Sequence, residues 1–225
     1  MARALFSALF STILFGAALL GPTGAWSWHR AWVLVGIHLV VHGGGAVRIV
    51  RANPSLLLER AKLPVQPGQP LPDKVLLLAC MAAYAAELML TGLDRRHWHW
   101  DVAFPPMLAW LGLVLFTLGW GLVMRALETN AFATTVVRHQ MERGHTVVDG
   151  GVYGVVRHPM YAGLVAAWLG APAWLRSPLG VGVAFVPIGL LAVRLVLEER
   201  ALVQALPGYA DYTTRVRSRL VPGLW

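Results

Sequence analysis

Residues 103–124 read AFPPMLAWLGLVLFTLGWGLVM, a block of 22 residues with no charge in it. A helix needs about 20 such residues to cross the roughly 30 Å hydrocarbon layer of a bilayer. Three more apolar blocks precede it, Leu5–Leu20, Ala31–Val50 and Val75–Gly92, and two follow, Gly163–Leu175 and Leu179–Leu197. The first is slightly short. Gly163–Leu175 has only 13 residues, so it reads as half of a helical hairpin with the block after it. The expected fold class is an all-α integral membrane protein with five to six transmembrane helices, the last two forming a hairpin.

Composition agrees. Of 225 residues, 57% are hydrophobic and 13% charged, too apolar for a soluble domain of this size. If the N-terminus lies inside and six segments alternate, fifteen Lys and Arg fall in inner regions and four, Arg30, Arg95, Arg96 and Arg176, in outer ones. This positive-inside bias predicts cytoplasmic termini. It also accounts for the +8 net charge through anionic lipid headgroups, with no need of nucleic acid. Trp26, Trp28, Trp32, Trp98 and Trp100 gather in the outer connections, as an interfacial aromatic belt does. Cys80 is the only cysteine, so no intrachain disulfide or cysteine metal site is expected. The start of the chain has a basic Arg3 and an apolar stretch like a signal peptide. That stretch runs long and the cleavage pattern is poor, so a retained first span is expected.

No internal repeat or low-complexity tract interrupts the chain. The reading is a single membrane domain, with four N-terminal spans in residues 1–125 and a second half in residues 126–225. Between the second and third blocks, Leu56-Leu57-Leu58-Glu59-Arg60 suits a short interfacial helix, and Pro64, Pro67, Pro70 and Pro72 keep the rest extended. The tail is amphipathic. Leu202, Leu206 and Tyr209 recur at helical spacing, Pro207-Gly208 breaks the helix, and Tyr212, Val216 and Leu220 continue the apolar side.

The chemistry-bearing stretch is Gly151-Val-Tyr153-Gly-Val-Val-Arg157-His158-Pro159-Met160-Tyr161-Ala-Gly163, followed about 35 residues later by Arg194 and Glu198-Glu199. Polar, turn-prone sequence between lipid-compatible segments needs shelter by protein or a water-filled cavity. Pro159 removes a donor and biases His158 away from helix. A purely structural reading stays open: a helix starting on a proline, flanked by snorkelling Arg and interfacial Tyr. Arg194 and Glu198 share one helix face and could simply pair, although basic-before-acidic is the weaker order. Two adjacent carboxylates suit a cation or a set of hydroxyls, and Arg194 suits an anion. His38 and His42, four apart and followed by three glycines, fit polar helix packing better than a metal site. Glu87, a lone carboxylate in the third block, is either a substrate or proton contact or a partner for a Tyr or His across the bundle.

Gly-Val-Tyr, Arg-His-Pro-x-Tyr-x-Gly, an apolar hairpin, Glu-Glu, then Gly208-Tyr209-x-x-Tyr212 and a basic tail resemble the isoprenylcysteine carboxyl methyltransferase family, itself allied to the membrane phospholipid methyltransferases. Asn53-Pro54-x-Leu56-Leu57, Glu59-Arg60, Asp73-Lys74 and Gly92-Leu93-Asp94-x-Arg96 are similar to its bacterial branch. The resemblance implies an integral enzyme, in a bacterial inner membrane, that takes a methyl group from S-adenosylmethionine. It implies a cytoplasm-facing cofactor pocket capped by a C-terminal helix, and a lipophilic acceptor delivered through the membrane. By position, it implies cofactor contacts from His145, Thr146, Val147, Val148, Tyr153, His158, Pro159, Met160, Tyr161 and Glu198. Arg194 falls on the catalytic arginine that meets the substrate. Arg138 stands where eukaryotic members carry a cofactor-contacting Gln, a departure from the pattern. Glu87 is added as a substrate-side candidate.

Methyl transfer from a sulfonium is an in-line displacement, so alignment is the main task and no metal is required. A carboxylate acceptor suits bidentate Arg194, whereas a phospholipid amine would put its phosphate there instead; the residues leave both open, and methyl transfer to a thiol is carried as a further alternative. Two other classes are carried. A nicotinamide-dependent membrane reductase has a similar last hairpin, but usually reads Pro-Asn-Tyr where this chain reads His158-Pro159-Met160-Tyr161. A non-enzymatic membrane protein on the same fold is also compatible.

Overall fold

The computed structural model describes residues 1–24, 26–53, 56, 60, 65–66, 69–98, 104–134 and 144–225. Among the described residues, five helices are long and apolar enough to cross a membrane: α1 (Ala2–Leu20), α2 (His29–Ala52), α3 (Leu71–Leu93, extended by a π-turn Asp94–Trp98), α4 (Pro106–Thr129) and α6 (Pro178–Ala205). Between the last two lies α5 (Pro159–Trp174), 16 residues and so about 24 Å long. A short α7 (Tyr209–Arg215) follows. Among the described residues no strand occurs. The protein is an all-α integral membrane protein.

Prolines set the starts. α3, α4, α5 and α6 each carry one in the first turn, where the missing N–H is no loss. Ser177 caps α6, its hydroxyl accepting from the Gly180 amide at 2.9 Å. The helices pack as a closed ring in the order α1, α2, α4, α5, α6, α3. Its wall is apolar outward: Phe6, Phe10, Ile13, Trp110, Leu118 and Phe185 are all more than half exposed. On a soluble protein this surface would be an association patch; here it faces acyl chains.

α4 and α5 run antiparallel in the closest contact of the bundle. A Cβ added to Gly163 would lie 2.5 Å from the Gly119 carbonyl oxygen, and one on Gly119 would meet Gly163 the same way. Gly112 and Gly170 repeat the arrangement one heptad on, against Trp174 and Phe116. Small residues let helix backbones touch where lipid offers no hydrophobic drive. Gly163→Ala is therefore expected to cost about 1–3 kcal/mol. The thermal unfolding midpoint in detergent should drop by roughly 2–10 °C. Gly43→Ala, whose new Cβ meets nothing within 4 Å in the interior of α2, should hold it or raise it slightly.

The end of the bundle remote from the Arg157–Tyr161 stretch is tied by polar contacts. Arg30 and Trp174 exchange two hydrogen bonds, each 2.8 Å, from side chain to carbonyl. Ser177 donates to Asp94, and Arg96 to the Thr23 carbonyl. Thus short α5 reaches the first turn of α2. His38 and His42 stack at 3.7 Å with Trp120 edge-on, and Thr12 shares a 2.9 Å hydrogen bond with His38 Nδ1. They pack polar atoms between helices. The expected interfacial helix lies mostly in residues 57–59, outside the described residues, as does Trp100.

Candidate active site

Gly151 adopts φ +58°, which starts the 3₁₀ turn Gly151–Gly154. His158 then takes an extended φ of −125° as the cap before Pro159, as a pre-proline residue should. Its backbone faces the tail. The Arg157 amide donates to the Ser218 carbonyl at 3.0 Å and the His158 amide to that of Arg219 at 2.9 Å. Arg157 Nη1 bonds the carbonyls of Val216 and Arg217, both at 2.7 Å. Its Nε meets Glu199 Oε1 at 2.5 Å, while Arg219 Nε meets Oε2 at 2.6 Å. Glu199 is thus a latch between α6, the entry to α5 and the tail.

Glu198, 100° around the helix, points elsewhere. It borders a recess open to solvent on one side. His145, Thr146, Val147 and Val148 form one wall. Tyr153, His158, Met160 and Tyr161 form a second, and Leu202, Leu206, Tyr209 and Tyr212 a third. Asn130, Phe132, Ala133 and Thr134 complete it. The Tyr212 hydroxyl donates to the Tyr153 carbonyl at 2.7 Å, fastening α7 across the opening. Burial pushes the Tyr212 phenol up to about 12, and those of Tyr153 and Tyr209 higher still. All three stay protonated near neutrality and act as donors.

Behind the recess runs a chain of buried hydrogen bonds. Tyr161 donates to Glu198 Oε2 at 2.5 Å and accepts from Arg194 Nη1 at 3.1 Å. Arg194 Nε donates to Asp73 Oδ1 at 2.8 Å, and Gln69 Nε2 to Asp73 Oδ2 at 2.6 Å. Arg194 and Asp73 are each only 7% exposed. Arg194 therefore pairs across helices, with Asp73 of α3, and sits one tyrosine hydroxyl from Glu198.

A phospholipid methyltransferase family model matches residues 107–207, which runs from α4 to the end of α6. Over 145 residues, 63% of this chain and 70% of the other, the chain is 30% identical to protein-S-isoprenylcysteine O-methyltransferase B of Arabidopsis thaliana. The chain belongs to the isoprenylcysteine carboxyl methyltransferase family. It is accordingly an enzyme of the methyltransferase class.

Of the residues singled out from the sequence of this methyltransferase, His145 to Val148, Tyr153, His158, Met160, Tyr161 and Glu198 meet at one recess. Pro159 is buried in the first turn of α5 beside them. Arg194 stands behind Tyr161. Arg138 lies outside the described residues. Glu87 is not brought to the recess: it is 14 residues along α3 from Asp73, about 21 Å by helical rise. It is fully buried, and neither of its oxygens has a hydrogen bond among the described residues. The two glutamates, read as a pair, serve different surroundings.

Sequence reasoning missed Asn130, Phe132, Asp73 and Gln69. The first two follow directly on the last turn of α4, where the chain leaves lipid. Asp73 carried a usable signal, being an acidic residue at a membrane boundary in the first turn of α3. Its partner lies 121 positions away, and nothing local names it.

Proposed function

We propose that this methyltransferase moves the methyl group of S-adenosylmethionine onto a lipophilic acceptor presented from the bilayer, with the recess open to the cytoplasm. The hydrogen-bonded chain Glu198–Tyr161–Arg194–Asp73 carries the reading. It joins a solvent-open recess to a buried guanidinium through one hydroxyl.

The residues present fit such a donor. Tyr153, Phe132 and Tyr209 offer aromatic walls for a nucleobase. Glu198 supplies negative charge for the donor's ammonium or ribose hydroxyls. His158 turns Nε2 toward Glu199 Oε1, 3.6 Å away, and its ring stacks on Tyr161 at the recess wall. When bound, S-adenosylmethionine supplies a methyl group on a sulfonium and leaves as S-adenosylhomocysteine. Tyr161, hydrogen-bonded to Glu198 and Arg194 together, fixes the distance between donor side and acceptor side. Arg194, held by Asp73, orients an anionic acceptor group. Leu202, Leu206 and Val147 exclude water from the donor side.

The acceptor is either a carboxylate on a prenylcysteine-like lipid or the amine of a phospholipid whose phosphate meets Arg194. Similarity to an isoprenylcysteine O-methyltransferase favours the first, and the phospholipid methyltransferase match keeps the second. Calorimetric titration of purified protein with S-adenosylhomocysteine should give saturable heat, and NADPH none. Saturable NADPH binding without S-adenosylhomocysteine binding would reverse the assignment to methyl transfer. Labelled methyl donor, offered with a farnesylated cysteine and with phosphatidylethanolamine in separate assays, then identifies the acceptor class.

A further inference from the structure

A second concavity opens on the outer side of α6, away from the recess. Val196, Arg200, Val203 and Gln204 of α6 form its floor, with Thr213 of α7 and Arg219 of the tail along its edge. We propose that this groove binds the phosphate of an anionic phospholipid, one acyl chain lying along the outer face of α6.

Depth is the first argument. The apolar run of α6, Leu179–Leu197, is centred on Ile188, so Arg200 lies about 18 Å from that centre by helical rise. Half of the hydrocarbon layer is roughly 15 Å. The guanidinium therefore sits at the headgroup boundary. Charge is the second. Arg157, Arg200 and Arg219 border the groove against a single carboxylate, Glu199, both of whose oxygens already accept from arginines. The balance is two positive charges. Arg200 is exposed and has no partner among the described residues.

The third argument is continuity with lipid. Gly182, Val186, Gly189, Val193, Leu197 and Arg200 recur at spacings of three and four, all exposed, so one stripe of α6 leads straight to the groove. An acyl chain on that stripe and a phosphate at its end satisfy both halves. Free phosphate would satisfy only one, which commits the site to a lipid.

Native mass spectrometry of the purified full chain in neutral detergent, after mixing with phosphatidylglycerol or with phosphatidylcholine of the same acyl chains, tests the site. Phosphatidylglycerol should be retained several-fold better. Arg200→Gln should cut that retention about fivefold, the contribution of one surface arginine near an anionic headgroup. Arg200→Lys should keep most of it, and 10 mM (roughly tenfold over the lipid) inorganic phosphate should not displace the lipid. Equal retention of the two lipids, an Arg200→Gln protein indistinguishable from the parent, or displacement by phosphate would each overturn the proposal. Retention is read without turnover, so the outcome stands apart from the methyl-transfer reading.

Discussion

Glu198→Gln is expected to weaken binding of S-adenosylhomocysteine by one to two orders of magnitude while the chain stays folded. The substitution keeps the volume and removes the charge. A hydrogen bond to a charged group contributes about 1.5–3 kcal/mol, a factor of roughly 10–150 in affinity. Glu198 is partly exposed at the recess and lies outside the Arg157–Glu199–Arg219 latch, so the fold loses little. Calorimetry on parent and variant, with thermal midpoints beside it, reads both quantities. An affinity within twofold of the parent would remove Glu198 from the donor site and with it the proposed orientation of the recess.

Asp73→Asn carries the second large effect, and it should be separable from the first. Asp73 faces Arg194 inside the bundle, both nearly buried, and its second oxygen is occupied by Gln69. Removing one charge of a buried pair costs on the order of 3–5 kcal/mol, an upper figure here because Glu198, one tyrosine hydroxyl away, still offsets part of the Arg194 charge. Part of that falls on stability and part on the placement of the guanidinium. S-adenosylhomocysteine affinity should remain within about threefold, since Glu198 and the aromatic walls are untouched, while kcat falls by roughly a hundredfold or more. Asp73→Glu, which restores the anion, should recover part of the rate. If donor affinity, rate and thermal midpoint all collapse together and Asp73→Glu recovers none, Asp73 is a structural residue and has no positioning role.

The membrane made most of the fold legible. Each of the six apolar blocks overlaps one observed helix, because an uninterrupted apolar run has little else to become in lipid. The ends were less legible, since helices do not stop where hydrophobicity does. α6 runs from Pro178 to Ala205, eight residues beyond Leu197, and this extension holds Glu198 and Glu199 in rigid register. α5 starts at Pro159, four residues before its apolar block, because proline at the first turn can open a helix that the hydropathy pattern does not yet require. In the site, the Arg157–Tyr161 stretch was legible from proline and glycine chemistry, and its neighbours from family resemblance. Pairings were not. Arg194 with Asp73, and Glu199 with Arg157 and Arg219, are decided by which helices adjoin, and no local pattern encodes that. Glu87, an ionisable group in a span, lies apart from this cluster, because α3 carries it about 21 Å from Asp73 toward the opposite end of the bundle.

The stitching of Arg157 and His158 to Ser218 and Arg219 divides the fold into two kinds of assembly. The five membrane-crossing helices among the described residues lie before Leu206, and the segment that closes the recess, α7 and the tail to Arg219, lies after it. Until Ser218 and Arg219 dock, the cleft lacks its roof and Glu199 lacks one of its two arginines. Completion of the recess is therefore a docking of polar segments in water, physically distinct from the packing of helices in lipid.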